Sequence, residues 1–245
     1  MKKLPSISPT DLARIAPLSE ERQRIELAQL KKGYPPFTYK PTRNRLHDIM
    51  NVQVGGLFSG HKVTWEQTRT ALISSCVAGD ETVYNLMAAE ALYRFADEHN
   101  IAGRVERDGG FEDMALGAGH RFALWEKAVV RFNGRPHVLF VDLRGTKYLT
   151  RAGRRFAFSA QHEQIRERDP DLADVGLLIL HVQSPVDDAR RVVPYTDEGV
   201  QLFTYDQLDE MTRRTYALWE EIWFGRMDEA RRKAAGDGDG PLFRY

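Results

Sequence analysis

Asn133 and Gly134 separate two β-prone runs, FALWEKAVVRF and HVLFVDLR, and an Asn-Gly pair in that setting is the strongest short-range hairpin signal in the chain. The length of the loop decides which side chains meet. A two-residue turn sets Phe132 opposite Arg135 and Glu126 opposite Val141, and sends Asp142 to the other face. A three-residue loop, with Gly134 in the left-handed conformation of a bulge, puts Glu126, Asp142 and Arg144 on one face. The second register is the expected one, because it keeps isolated charges out of a sheet covered by apolar elements.

Two carboxylates side by side raise one another's pKa, so bringing Glu126 and Asp142 together requires a reason. A divalent cation supplies one. Magnesium takes oxygen ligands, keeps several waters, and can both activate a water and neutralise charge on a phosphodiester. A neighbouring cation, Arg144, would stabilise the developing negative charge. The alternative is structural: an Asp142–Arg144 ion pair at a strand end and an exposed Glu126 beside Lys127.

The order helix, strand, hairpin, helix, strand, with Glu126 at the start of the second strand and Asp142-Leu143-Arg144 at the end of the third, resembles the PD-(D/E)XK nuclease superfamily. The resemblance covers roughly residues 80 to 183. It implies a restriction-endonuclease-like core, Mg²⁺ or Mn²⁺ on Glu126 and Asp142, and phosphodiester hydrolysis in nucleic acid, with DNA the expected substrate. It also implies an auxiliary acid on the preceding helix, for which Glu90 fits best and Glu81 less well. The family's lysine is replaced by Arg144, which stays protonated and cannot act as a general base. Lys147 could replace that lysine if the chain turns back. Otherwise Arg144 marks a member that keeps the fold and binds nucleic acid without cutting it.

The rest of the chain is consistent with an α/β protein having a mixed central sheet with flanking helices and a helical N-terminal region. Residues 1 to 45 read as a basic arm with a short helix, SEERQRIELAQLKK, and a proline-rich connector. Residues 46 to 235 form the nuclease-like domain, and 236 to 245 a flexible tail. Over residues 1 to 47, ten Lys or Arg stand against four Asp or Glu, although the whole chain has a formal net charge of zero. Lys40, Arg43 and Arg45 could follow a phosphate backbone, although a solvated surface is the readier account of the N-terminal charge; Arg151, Arg154 and Arg155, just after the hairpin, fit phosphate contacts and a solvated basic turn equally.

Helices are expected over ETVYNLMAAEALYRFADEHN, opened by Asp80, over the polar SAQHEQIRERDPDL, and from Thr204 or Asp206 through Trp219 and Trp223. Strands are expected at GLLILHV, RVVPY and VQLFTY. A single cysteine, Cys76, excludes an internal disulfide and a four-thiolate zinc site and suggests a reducing, cytoplasmic setting. Neither a signal peptide nor a membrane span is expected. No HExxH, nucleophile-elbow, Walker or dinucleotide pattern occurs. A further reading is an interaction protein that docks on a partner through the C-terminal helix, with Trp219 and Trp223 exposed to receive it.

Overall fold

The computed structural model describes residues 4–30, 38–53, 62–77, 79–105, 111–184 and 189–236, the last three by their backbone. The glycines of VGGLFSG, the Asp108-Gly109-Gly110 turn, the Pro35-Pro36 pair and residues 237–245 lie outside the described residues.

Ser8, Pro9 and Asp11 start the first helix, α1 (Pro9–Ile15). Ser8 Oγ accepts the Asp11 N–H, the proline occupies a position whose N–H would be unused, and Asp11 stands at the positive end of the dipole. Next come α2 (Glu20–Leu27), the short α3 (Lys40–Asn44) and α4 (Leu46–Ile49), and the two-residue strand β1 (Val52–Gln53). A Thr64–Gln67 capping box opens α5 (Trp65–Ser75), which packs on α6 (Gly79–Glu98). Asp80 lies inside the first turn of α6 rather than at its cap. The buried stripe of that helix runs through Ala88, Ala91, Leu92 and Phe95, whereas Val83 is exposed.

Strands β2 (Ala102–Val105), β5 (Ala128–Phe132), β6 (Arg135–Asp142), β7 (Gly176–Val182) and β8 (Val192–Thr196) join β1 in one sheet of order β1-β2-β5-β6-β7-β8. A separate small hairpin is made by β3 (Met114–Leu116) and β4 (His120–Phe122). The sheet is mixed, as expected: β1/β2 and β6/β7 are parallel and the other pairs antiparallel. The crossover from β6 to β7 carries α7 (Arg151–Gln161), which runs on into a π turn at His162–Arg166 and a 3₁₀ turn at Pro170–Leu172. All of β7 is buried, as a strand with a covered sheet face on each side requires. The last element of the described residues is α8 (Tyr205–Gly236), opened by reciprocal hydrogen bonds between Thr204 and Gln207.

Apolar side chains alternate between two cores. Val138, Phe140, Leu177 and Ile179 face α1, α2, α7 and α8, while Leu139, Val141, Leu178 and Leu180 face the helices from α4 to α6. Two expected elements differ. VQLFTY forms no strand: Leu202 and Phe203 pack on the first core, and the Phe203 N–H is satisfied by Ser159 Oγ at 2.8 Å instead of a neighbouring strand. The helix after the hairpin starts at Arg151, eight residues ahead of the expected Ser159, because Thr150 caps it through the Gly153 N–H. Among the described residues no helix is long and apolar enough to cross a membrane.

The hairpin itself corrects the expected register. Phe132 pairs with Arg135, so Asn133 and Gly134 form a two-residue turn, with φ of 49° and 79°. Two left-handed residues give the turn whose twist matches that of the strands, and Asn and Gly are the pair that accepts this conformation most readily. The charges avoid isolation by other means, described below. Space at Gly134 is open, so Gly134→Ala is expected to cost only the left-handed backbone penalty, about 1 kcal/mol, read as a shift in the urea midpoint at unchanged slope.

Candidate functional site

Of the expected site residues, Asp142, Arg144 and Glu126 lie around the C-terminal end of β6, each with its side chain held by a different partner. Asp142 is 1% exposed. Its Oδ1 accepts the Arg144 N–H at 3.2 Å and its Oδ2 the Leu149 N–H at 2.8 Å, so the carboxylate holds the two ends of the loop between β6 and α7. Parallel pairing with β7 sets His181 beside it. The His181 ring stacks on Tyr148 at 4.5 Å with Nε2 3.2 Å from the Arg144 carbonyl, and burial pushes its pKa below the ordinary 6.5 against the attraction of Asp142.

Arg144 turns away from Asp142 and reaches the N-terminus of α1. It makes a two-pronged pair with Asp11, at 2.6 and 3.0 Å, and a third bond to Ser8 Oγ at 3.0 Å. Burial raises the Asp11 carboxyl, yet Arg144, with smaller help from the Ser8 hydroxyl and Arg14, outweighs it and holds the pKa below the usual 3.8. Sequence reasoning missed Asp11, since it lies 133 residues from Arg144 and its visible local signal is helix capping.

Glu126 sits one turn ahead of β5. Its N–H bonds the Leu139 carbonyl at 2.7 Å, and its own carbonyl takes the Ala128 N–H at 2.7 Å, a tight turn that interrupts regular pairing. Its carboxylate meets Arg43 of α3 at 3.2 Å, and Arg43 also donates to the Val141 carbonyl at 3.2 Å. Burial raises the Glu126 pKa, opposed by Arg43. Arg43, Lys40, Tyr39, Ser8 and Arg144 line a cavity of about 510 Å³ between α1, α3 and the end of β6.

The other expected residues lie apart from this centre. Glu90 is exposed on α6, Glu81 bonds the Thr38 hydroxyl and the Val77 N–H, and Lys147 is exposed with a left-handed backbone at φ 54°. Arg45 pairs with Asp48 at 3.4 Å. Arg151, Arg154 and Arg155 line a different groove, between α7 and the segment after β8. Among the described residues no group of three or more His, Cys, Asp and Glu side chains could hold a metal ion. Asp142 is hydrogen-bonded at both oxygens and Glu126 is paired with Arg43, so this donor set does not fit a Mg²⁺ or Mn²⁺ centre.

The Asp11–Arg144 pair gives a direct test of this geometry. Asp11→Asn and Arg144→Met are each expected to cost about 1.5–3 kcal/mol, and the double variant less than the sum of the two. Because the Asp11 pKa is depressed on folding, its contribution is present above about pH 4 and lost as pH falls through the folded value. Urea titrations of the native and Asp11→Asn chains at neutral and acid pH should therefore converge in acid.

These residues define an α/β protein in which Asp142, Arg144 and Glu126 are bonded within the chain, to a loop, to the start of α1 and to α3. The chain belongs to the SocB family, described as sliding clamp-binding bacterial toxins, whose family model matches residues 10–229. It is 37% identical over 235 residues to the DNA replication inhibitor toxin SocB of Caulobacter vibrioides, covering 94% of this chain and 97% of that protein. No solved structure matches it. Family membership overturns the PD-(D/E)XK reading and with it the nuclease activity. The acid, any residue, base pattern at Asp142-Leu143-Arg144 arose here from a loop cap followed by a helix anchor.

Proposed function

We propose that this chain stops DNA replication by binding the bacterial sliding clamp, acting as a protein ligand and not as a nuclease. The observation that carries the reading is the similarity to the DNA replication inhibitor toxin, which extends over nearly the full length of both chains. Similarity on that scale includes the two cores and both sheet faces, so the relative's mode of action is a better guide than a short motif. The pairing of Glu126, Asp142 and Arg144 with residues of this same chain supports it from the other side, because each of them has a structural partner.

The test is direct. Purified chain and a bacterial sliding clamp should co-elute in size-exclusion chromatography, and the chain should inhibit clamp-dependent primer extension while leaving clamp-independent extension untouched. Absence of a complex, or equal inhibition with and without the clamp, would refute the proposal. Trp219 is fully buried, so the C-terminal helix does not present both tryptophans to a partner, as the interaction reading had expected. The protein-partner reading stands without that surface.

A further inference from the structure

Arg151, Arg154 and Arg155 line a groove of about 970 Å³ whose walls include Phe158, Tyr195 and Phe203. Among the described residues, no acidic residue lines it. The Arg154 guanidinium lies 3.8 Å from the centre of the Tyr195 ring and that of Arg155 lies 3.7 Å from the centre of Phe203. Stacking of this kind occupies the faces of a guanidinium and leaves its in-plane N–H donors for an anion. Arg154 gives one donor to the Leu149 carbonyl, and Arg155 Nε is buried with no hydrogen-bond partner among the described residues. None of the three arginines forms an ion pair among the described residues, although Asp197 and Glu198 adjoin the groove in sequence. Those acids pair with Arg166 and Arg135 instead.

The position of these cations is also unfavourable by itself. They stand in the first turns of α7, at the positive end of its dipole, and that first turn contains no acid. An anion from outside the chain would remove the conflict and could also use the helix terminus.

We infer that this groove binds an acidic segment of a partner protein, with carboxylates on the three arginines and apolar side chains against the half-buried Val200 and Pro17. Charge complementarity and the mixed lining choose the occupant. A DNA backbone calls for an extended basic surface, whereas this groove has no lysine among the described residues, apolar walls and a parent chain of zero formal net charge. The inference rests on the proposed function only in taking a protein, rather than DNA, as the class of partner.

The probe is a short labelled peptide in which Glu and Leu alternate, titrated with the full chain and read by fluorescence anisotropy. A Gln-Leu peptide and a duplex DNA serve as comparisons. The acidic peptide should bind, the Gln-Leu peptide should not, and Arg151→Glu should weaken binding about tenfold. Arg151 is exposed at the start of α7, where glutamate suits the dipole, so this variant should keep its thermal midpoint and a loss of binding cannot be ascribed to unfolding. Arg155→Gln, which retains much of the side-chain stem, should weaken binding as well. Equal binding by the native chain and both variants, no binding of the acidic peptide, or tighter binding of the duplex would each overturn the inference. Clamp binding by the native chain is measured in parallel: its failure would refute the proposed function, while the peptide titration, made without clamp, still decides the groove.

Discussion

Asp142→Ala is expected to destabilise the fold by about 3 kcal/mol, because it strips the acceptors from two backbone N–H groups, and a buried donor left unsatisfied costs about 1–3 kcal/mol. The Leu149 N–H lies in the buried interior, where water cannot replace the carboxylate, and the Arg144 N–H is half-buried. Asp142→Asn keeps one carbonyl oxygen and should lose about half as much. Urea denaturation followed by circular dichroism separates the two variants. A metal-binding carboxylate would behave in the opposite way, since removing one from a crowded acidic site relieves repulsion and tends to raise stability. An Asp142→Ala chain as stable as the native one would therefore refute the loop-cap assignment.

The hairpin's position was legible from Asn-Gly, but its register was not: weighing buried charge above the two-residue turn that this pair favours by local sterics led to the longer loop, and the turn chemistry prevailed. The buried strand β7 was equally plain, since GLLILHV has no alternation that would let it face water. Of the two starts offered for α8, Thr204 and Asp206, the structure takes Thr204, which exchanges hydrogen bonds with Gln207. The signal Ser8-Pro9-Thr10-Asp11 was available for α1 and was passed over within a segment read as a basic arm, although α1 carries Leu12 and Ile15 fully into the core. The site was harder to read, for a different reason. An acidic side chain next to a basic one looks the same in sequence whether it binds a metal or caps a loop, and what decides is the partner. For Arg144 that partner is Asp11 and for Glu126 it is Arg43, both distant in sequence, and no periodicity or spacing reports such a meeting. The cationic residues of the expected nucleic-acid surface likewise separate, Lys40 and Arg43 to a cavity beside α3, Arg151, Arg154 and Arg155 to one beside α7, and Arg45 to Asp48, because Arg151 begins a helix that carries the chain across the sheet.

The larger loss is expected at Trp219. Its side chain is fully buried in the first core, its indole N–H reaches the Pro5 carbonyl at 2.7 Å, and Arg226, one of whose donors reaches the Ala28 carbonyl at the end of α2, sits 5.3 Å from the ring centre. Trp219→Ala removes this packing and leaves a void between α8 and the N-terminal segment, at a cost of about 3–5 kcal/mol. Trp219→Phe fills most of the volume and forfeits chiefly the hydrogen bond, so about 1–2 kcal/mol should be lost. Trp223 is only partly buried, and its truncation should cost less than that of Trp219. The ranking matters for any binding experiment on this helix. If Trp219→Ala abolishes clamp binding while denaturation shows that the fold has weakened by several kcal/mol, the helix has acted as a clasp for α1 and α2, not as the docking face. If Trp219→Ala abolishes binding and leaves the urea midpoint unchanged, the tryptophan contacts the partner, and the buried position described here is not the one the clamp meets.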